Sequence, residues 1–251
     1  MKSVIIVMTA ICLVLGCIAD QKNAYDRIAA SGMLKVGTDA TYPPFEFNDE
    51  KTGRLIGFDI DLMNAICREL NLEPEYTVVP FSGIIGGLNS GKYDCLISAM
   101  TITADRQKTV AFSRPYYKAG QAIAVPLNDS SITGIADLKG KKIGVQLGTT
   151  GEMKAKEIEG AQVVSFDNIG AAFIDMENGR VDAVLNDYPT SMRVIAVRGH
   201  AKIVGPLLSE EDYGIAVRKG DKELLDSLNS ALGRLLEKNF IDSLGNYWIG
   251  R

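Results

Sequence analysis

The 251-residue chain has one histidine, His200, and four cysteines. A single imidazole argues against His-based catalytic triads and clustered-histidine metal sites. His200 itself sits in Arg198-Gly199-His200-Ala201, which reads as an exposed turn. Cys12 and Cys17 lie in the N-terminal stretch, leaving Cys67 and Cys95, too far apart for a CxxC metal or redox motif. One falls in a predicted amphipathic helix and the other in a predicted buried strand, so both read as small buried hydrophobes. No basic run appears, and the net charge of −4 with a pI near 5.2 argues against a nucleic-acid partner. No cofactor motif is present. With 46% hydrophobic residues the chain can bury a substantial core in one or two domains.

What is present begins with a leader. Met1-Lys2-Ser3 gives a short basic start, Val4 to Gly16 is almost wholly apolar, and small Gly16 precedes Cys17. This reads as a secretory signal, too short to serve as a spanning helix. Val14-Leu15-Gly16-Cys17 resembles a lipoprotein cleavage box, which would make Cys17 a lipidated N-terminus; simple secretion is the alternative.

Strands alternate with helices through the rest of the chain. Leu34 to Gly37 reads as a strand, and Pro43-Pro44 forbids helix immediately after it. Asp39 and Tyr42 are therefore expected on a loop at that strand's C-terminal end. Asp59 is expected to cap a helix whose apolar positions Leu62, Ile66 and Leu70 recur at spacing four. A β-rich run at Tyr76 to Val79, a helix opened by Phe81, and a buried strand around Cys95 follow. The pattern then restarts, with a strand at Lys142 to Gln146, Gly148-Thr149-Thr150 leading into a helix, a strand at Val163 to Phe166, a helix, and a strand ending at Asp187. The two halves echo each other: Gly91-Lys92-Tyr93-Asp94 and Gly179-Arg180-Val181-Asp182 both precede an apolar strand. This order predicts an α/β fold of two similar lobes with largely parallel sheets.

In such sheets ligands bind beyond the C-terminal strand ends, and the unusual polar residues cluster there. Ser98 to Arg106 offers hydroxyls and a guanidinium at a helix start capped by Thr103. A cation there opposes the helix dipole unless it holds an anion, and a planar carboxylate suits its paired donors. A surface pair with Asp105 is the plainer alternative. Thr149 and Thr150 offer a second donor-rich turn, and Asp187 could hold an ammonium or simply form a turn. One anion seat, one carboxylate and the aromatics Tyr42 and Phe81 describe a site for a zwitterion.

Gly37-Thr38-Asp39-Ala40-Thr41-Tyr42-Pro43-Pro44-Phe45, Gly57-Phe58-Asp59-Ile60-Asp61, Ile102-Thr103-Ala104-Asp105-Arg106 and Gly144-Val145-Gln146-Leu147-Gly148-Thr149-Thr150 together resemble the polar amino-acid solute-binding proteins of ABC importers, family 3. The resemblance implies a type II periplasmic-binding-protein-like fold, two lobes joined by crossovers near Tyr117-Lys118-Ala119 and Ser209 to Asp212, closing by hinge motion. It implies a signal peptide at 1–16, an anchor tether at 17–23, lobe 1 at 24–117, lobe 2 at 118–212 and a return to lobe 1 at 213–251. Carried over by position, Arg106 with Thr101 and the turn at Thr149-Thr150 would clamp an α-carboxylate. Asp187 and Ser98 would take the α-ammonium, with Ala99 beside them. Tyr42 and Phe81 would sandwich the side chain, and Asp39 would reach its far end. Gln146 and Asn186 suit either a basic amino acid or glutamine, and a cationic side chain between aromatic rings gains cation–π energy. The implied partners are a free amino acid, the importer's membrane subunits and, through the lipid, the membrane, with the protein a monomer. A cyclohexadienyl-dehydratase-like enzyme on the same scaffold is the catalytic alternative. A receptor's sensing module is disfavoured because no second membrane span follows Arg251.

Overall fold

The computed structural model describes residues 24–250. The signal segment, the tether and Cys17 lie outside the described residues. Helix α1 (Ala24–Ser31) leads into β1 (Met33–Thr38), whose Leu34 and Val36 are fully buried. A small antiparallel sheet of β2 (Thr41–Tyr42), β3 (Glu46–Asn48) and β4 (Leu55–Ile56) follows. Next come α2 (Phe58–Glu69), β5 (Glu73–Val78), α3 (Phe81–Asn89), β6 (Cys95–Leu96), the short α4 (Ala104–Gln107) and β7 (Val110–Phe112). Strand β8 (Tyr117–Ala119) then carries the chain across to the second lobe.

There the elements are β9 (Gln121–Pro126), β10 (Lys142–Gln146), α5 (Thr150–Lys156), β11 (Gln162–Phe166), α6 (Ile169–Glu177), β12 (Ala183–Asp187), α7 (Tyr188–Arg198) and β13 (Ala201–Val204). A single 3-10 turn, Ile135–Leu138, precedes β10. Strand β14 (Glu211–Tyr213) pairs antiparallel with β8 and returns the chain, so two strands side by side form the hinge. β15 (Ala216–Arg218), α8 (Lys222–Glu237) and α9 (Phe240–Ile249) complete the first lobe.

The two main sheets share one plan. The first has strand order β5-β1-β6-β15-β7 and the second β11-β10-β12-β9-β13. In each, the first parallel strand is flanked by the second and third, and the strand arriving from the hinge lies antiparallel against the third. The sequence echo has a structural meaning here. Asp94 Oδ2 accepts the Lys35 amide at 3.1 Å while the Asp94 amide donates to the Lys35 carbonyl at 2.8 Å. Asp182 brackets Lys142 in the same way, at 2.7 and 2.8 Å.

Helical cover follows the apolar spacing. Leu62 and Ile66 of α2 and Leu224, Leu228, Leu232 and Leu235 of α8 share one core with β1 and β15. Each such side chain, fully buried, stabilises the lobe by about 1.5–3 kcal/mol. Cys67 and Cys95 are both buried and unpaired. One expectation fails: Asp59 does not cap α2. The helix's first amides, on Phe58 and Asp59, donate to the Pro44 and Phe45 carbonyls at 2.9 Å each, so a preceding loop does the capping. This close approach requires Gly57, whose φ is +136° and where a Cβ would lie 2.1 Å from the Phe45 carbonyl oxygen. The Asp59 carboxylate turns inward instead.

Candidate functional site

Ten of the eleven residues singled out at the strand ends line one cavity between the lobes: from the first, Tyr42, Phe81, Ser98, Ala99, Thr101 and Arg106; from the second, Gln146, Thr149, Thr150 and Asp187. In this closed arrangement the space open to water between the two sides is about 10 Å³, room for about one molecule. Asp39 stands just behind the cavity.

Thr103 caps α4, its hydroxyl accepting the Arg106 amide at 3.2 Å, and this fixes where the guanidinium begins. Arg106 does not pair with Asp105, which bonds Lys108 on the surface instead. The Arg106 side chain runs inward and the residue is only 6% exposed. It donates to the Thr101 carbonyl at 2.8 Å and, across the cleft, to the Gly148 carbonyl at 3.1 Å. It also lies 5.3 Å from the centre of the Phe81 ring. Two of its five N–H donors are thus engaged, leaving three without a protein acceptor among the described residues. Burial lowers its pKa, while the charges of Asp187 and Glu211 oppose that.

Asp187, at the end of β12 and immediately before α7, faces it. The carboxylate accepts the Tyr213 hydroxyl at 2.5 Å, the Tyr42 hydroxyl at 2.7 Å and the Gln121 side-chain amide. Burial pushes it up to about 7, Glu211's charge adds to this, and the two tyrosine hydrogen bonds and Arg106 pull it down. The Tyr42 hydroxyl lies 2.7 Å from Asn186 Oδ1 as well. Its single proton favours the charged acceptor.

Behind one end of the cavity lie two acceptors, the Asp39 carboxylate and the side-chain oxygen of Gln146. Asp39 takes the Thr41 hydroxyl at 2.9 Å and Gln146 Nε2, from the opposite lobe, at 2.7 Å. Burial nevertheless raises its pKa. Bonding Asp39 turns the Gln146 amide so that its buried Oε1 finds no donor among the described residues. Gln146, Asp39 and the ring of Tyr42 therefore call for a ligand that donates.

Three expected hydroxyl donors are already engaged. Thr101 and Thr150 both donate to Glu211 Oε2 at 2.7 Å, and Thr149 caps α5 while donating to the Gln146 carbonyl at 2.7 Å. Glu211 and Tyr213 on β14 and Gln121 on β9 were not among the predicted residues. They come from the hinge and its neighbour, and no local motif marks them. Gly148 at φ +81° lets the turn approach lobe 1, where a Cβ would sit 3.3 Å from Ser82 Cα.

Two like lobes meeting over a cavity, with a guanidinium from one facing a carboxylate from the other, define a type II periplasmic binding protein. Residues 34–251 match the family described as bacterial extracellular solute-binding proteins, family 3, and the chain belongs to that family. It is 34% identical over 226 residues to ABC transporter arginine-binding protein 1 of Escherichia coli (strain K12), covering 88% of this chain and 92% of the relative. Among solved structures, an ancestral arginine-binding protein bound to arginine is 47% identical with a TM-score of 0.84, covering 87% of this chain and 99% of that one. An ancestral amino acid-binding protein described as a precursor of cyclohexadienyl dehydratase is 41% identical with a TM-score of 0.85, covering 89% and 98%. Among the described residues no helix is long and apolar enough to cross a membrane.

Proposed function

We propose that this protein captures a basic L-amino acid of the arginine type between its lobes, outside the cytoplasm, and presents it to an ABC importer. The observation that carries the choice of side chain is this pair of acceptors: the Asp39 carboxylate and the undonated Gln146 Oε1. A guanidinium or ammonium satisfies both. A glutamine carboxamide has only two N–H donors for them and adds an uncharged oxygen that neither can match. In this reading the three remaining N–H groups of Arg106 take the α-carboxylate, with the turn at Thr149 and Thr150 closing over it. Asp187 and the Ser98 carbonyl take the α-ammonium beside Ala99, and Tyr42 and Phe81 wall the stem. Thr101 contributes through its carbonyl, which orients Arg106, because its hydroxyl proton belongs to Glu211.

The same reading divides the chain into a signal peptide at 1–16, a tether at 17–23 lipidated at Cys17, lobe 1 at 24–117 and 213–251, and lobe 2 at 118–212, acting as a monomer. Calorimetry with arginine, lysine, histidine and glutamine tests it. Arginine or lysine should bind most tightly, and no binding of any of the four at millimolar concentration would end the transport reading.

The likeness to a dehydratase precursor raises a catalytic reading, and Asp187, pushed up to about 7, is the group that would act as general acid. Its oxygens already accept from three donors, which favours the ionised form that retains an ammonium over the protonated form that releases a leaving group. Turnover of a cyclohexadienyl acid would reverse this.

A further inference from the structure

Behind the cavity wall lie two acids that the ligand reading leaves unused. Glu46, the first residue of β3, and Asp59, in the first turn of α2, are both wholly buried. Glu46 Oε1 accepts the Ser98 hydroxyl at 2.7 Å, and Ser98 Oγ in turn accepts the Asp39 amide at 3.1 Å. Asp59 Oδ2 accepts the Ala99 amide at 2.7 Å and the Tyr116 hydroxyl at 2.9 Å. The other oxygen of each, Glu46 Oε2 and Asp59 Oδ1, is buried and finds no donor among the described residues. The two side chains are nonetheless within hydrogen-bonding reach of one another.

Two bare carboxylates cannot share such a site, because both are wholly buried and no counter-charge faces them among the described residues. The titratable groups that face the pair are Asp39 from the loop after β1, Tyr42 of β2, Tyr116 ahead of β8 and Tyr76 of β5, with no lysine or arginine among them. A proton between the two unpartnered oxygens removes the conflict and satisfies both.

We propose that Glu46 and Asp59 share one proton, carried on Glu46 Oε2 and donated to Asp59 Oδ1, and that this acid pair positions Ser98 and Ala99 for the ligand. Glu46 is the carrier because Asp59 has two donors stabilising its charge and Glu46 has one. Burial and the Asp59 charge hold Glu46 well above the usual carboxylate range, and burial brings Asp59 up to about 7, in keeping with that order. The positioning has a visible object. Ala99 sits at φ +44°, a left-handed conformation uncommon for a residue with a Cβ, and its amide is held there by Asp59. Through Ser98 the pair also fixes the Asp39 amide, and so both ends of the cavity rest on one proton.

Loss of that proton on raising the pH should place two like charges behind the loop and loosen it. The consequence for affinity rests on the proposed basic amino-acid ligand; the proton itself does not. Infrared spectroscopy near pH 7 should therefore show stronger protonated carboxylic acid absorption in the wild-type protein than in Glu46→Gln, where Asp187 still contributes. In that variant the amide oxygen can keep Ser98 and the amide nitrogen can replace the shared proton. Arginine titrations of both proteins supply the second readout. Glu46→Gln should bind within about threefold of wild type near pH 7, and Glu46→Ala should lose about tenfold or more. The ratio of wild-type to Glu46→Gln affinity should fall as pH rises through the loss of the shared proton, a comparison in which the ligand's own ionisation cancels. An identical infrared spectrum for the two proteins would overturn the pair. The stronger absorption in a protein that binds none of the amino acids would support the pair and sink the ligand assignment.

Discussion

In lobe 1 the third strand, Cys95–Leu96, hands over to a loop carrying Ser98, Thr101 and, at the start of α4, Arg106; in lobe 2 the third strand runs on to Asp187 and turns at once into α7. The sheets behind these ends have the same strand order, and the same Gly-base-x-Asp turn brackets the first strand of each. What hangs beyond the third strand differs, a cation on one side and an anion on the other. Duplicate scaffolds thus present opposite charges across one gap, which suits a zwitterion held by both ends. Closing the gap and completing the ligand's partners become a single event.

Removing the cation should unbalance this arrangement most. Arg106→Ala is expected to cost about 3–4 kcal/mol of arginine binding, a factor of roughly 10²–10³, with little change in thermal stability. Calorimetry checks it, and unchanged affinity would mean the two lobes do not divide the ligand's charges. Asp187→Asn, on the other side, should cost about 2–3 kcal/mol, because the amide keeps an acceptor but loses the charge. A loss equal to that of Arg106→Ala would show that the lobes contribute symmetrically.

Titration sharpens the contrast further. If the ligand's ammonium sits on ionised Asp187, as proposed, affinity should fall as pH drops below about 7, by up to about tenfold per unit. The ligand-free protein should respond in the opposite sense. Asp187 and Asp59 are raised from 3.8 to about 7 in the folded state, so their contribution is fully present below about pH 4 and is lost as pH rises through 7. Melting and binding curves between pH 5 and 8 should therefore slope in opposite directions. Asp39→Asn should weaken arginine about tenfold more than it weakens glutamine, since only the former needs the far-end charge. An equal loss for both would favour glutamine as the natural guest.

The smallest effect tests the scaffold. Asp94→Ala and Asp182→Ala should each lower stability by about 1 kcal/mol, measured by urea unfolding. Asp94 should cost slightly more, because it also lies 3.6 Å from Arg218. A large loss at only one of them would break the equivalence of the lobes.

Much of this was legible in the sequence because it is local. The strand runs around Val36, Cys95, Val145 and Val184 are short and apolar, and the polar residues that follow each must sit at a C-terminal edge. Thr103 as a cap and Arg106 as a misfit cation need only their neighbours. Asp59 was misread for the same reason: one residue into an apolar helix, it has the local appearance of a cap. Its actual partners are Ala99 and Tyr116, 40 and 57 residues away. Gln121, Glu211 and Tyr213 carry no local signal, since each matters only because the hinge strands pass beneath the cavity.

Sequence alone therefore determined the alternation of elements, the doubled plan and the ionic character of the two strand ends, since periodicity, capping and turn chemistry act over a few residues. Tertiary structure alone decided which hydroxyls still have a proton to give, which carboxylates keep their charge and where the unpartnered acceptors point. Hydrogen-bond satisfaction and burial are properties of groups brought together from distant parts of the chain, and no short window of residues contains them.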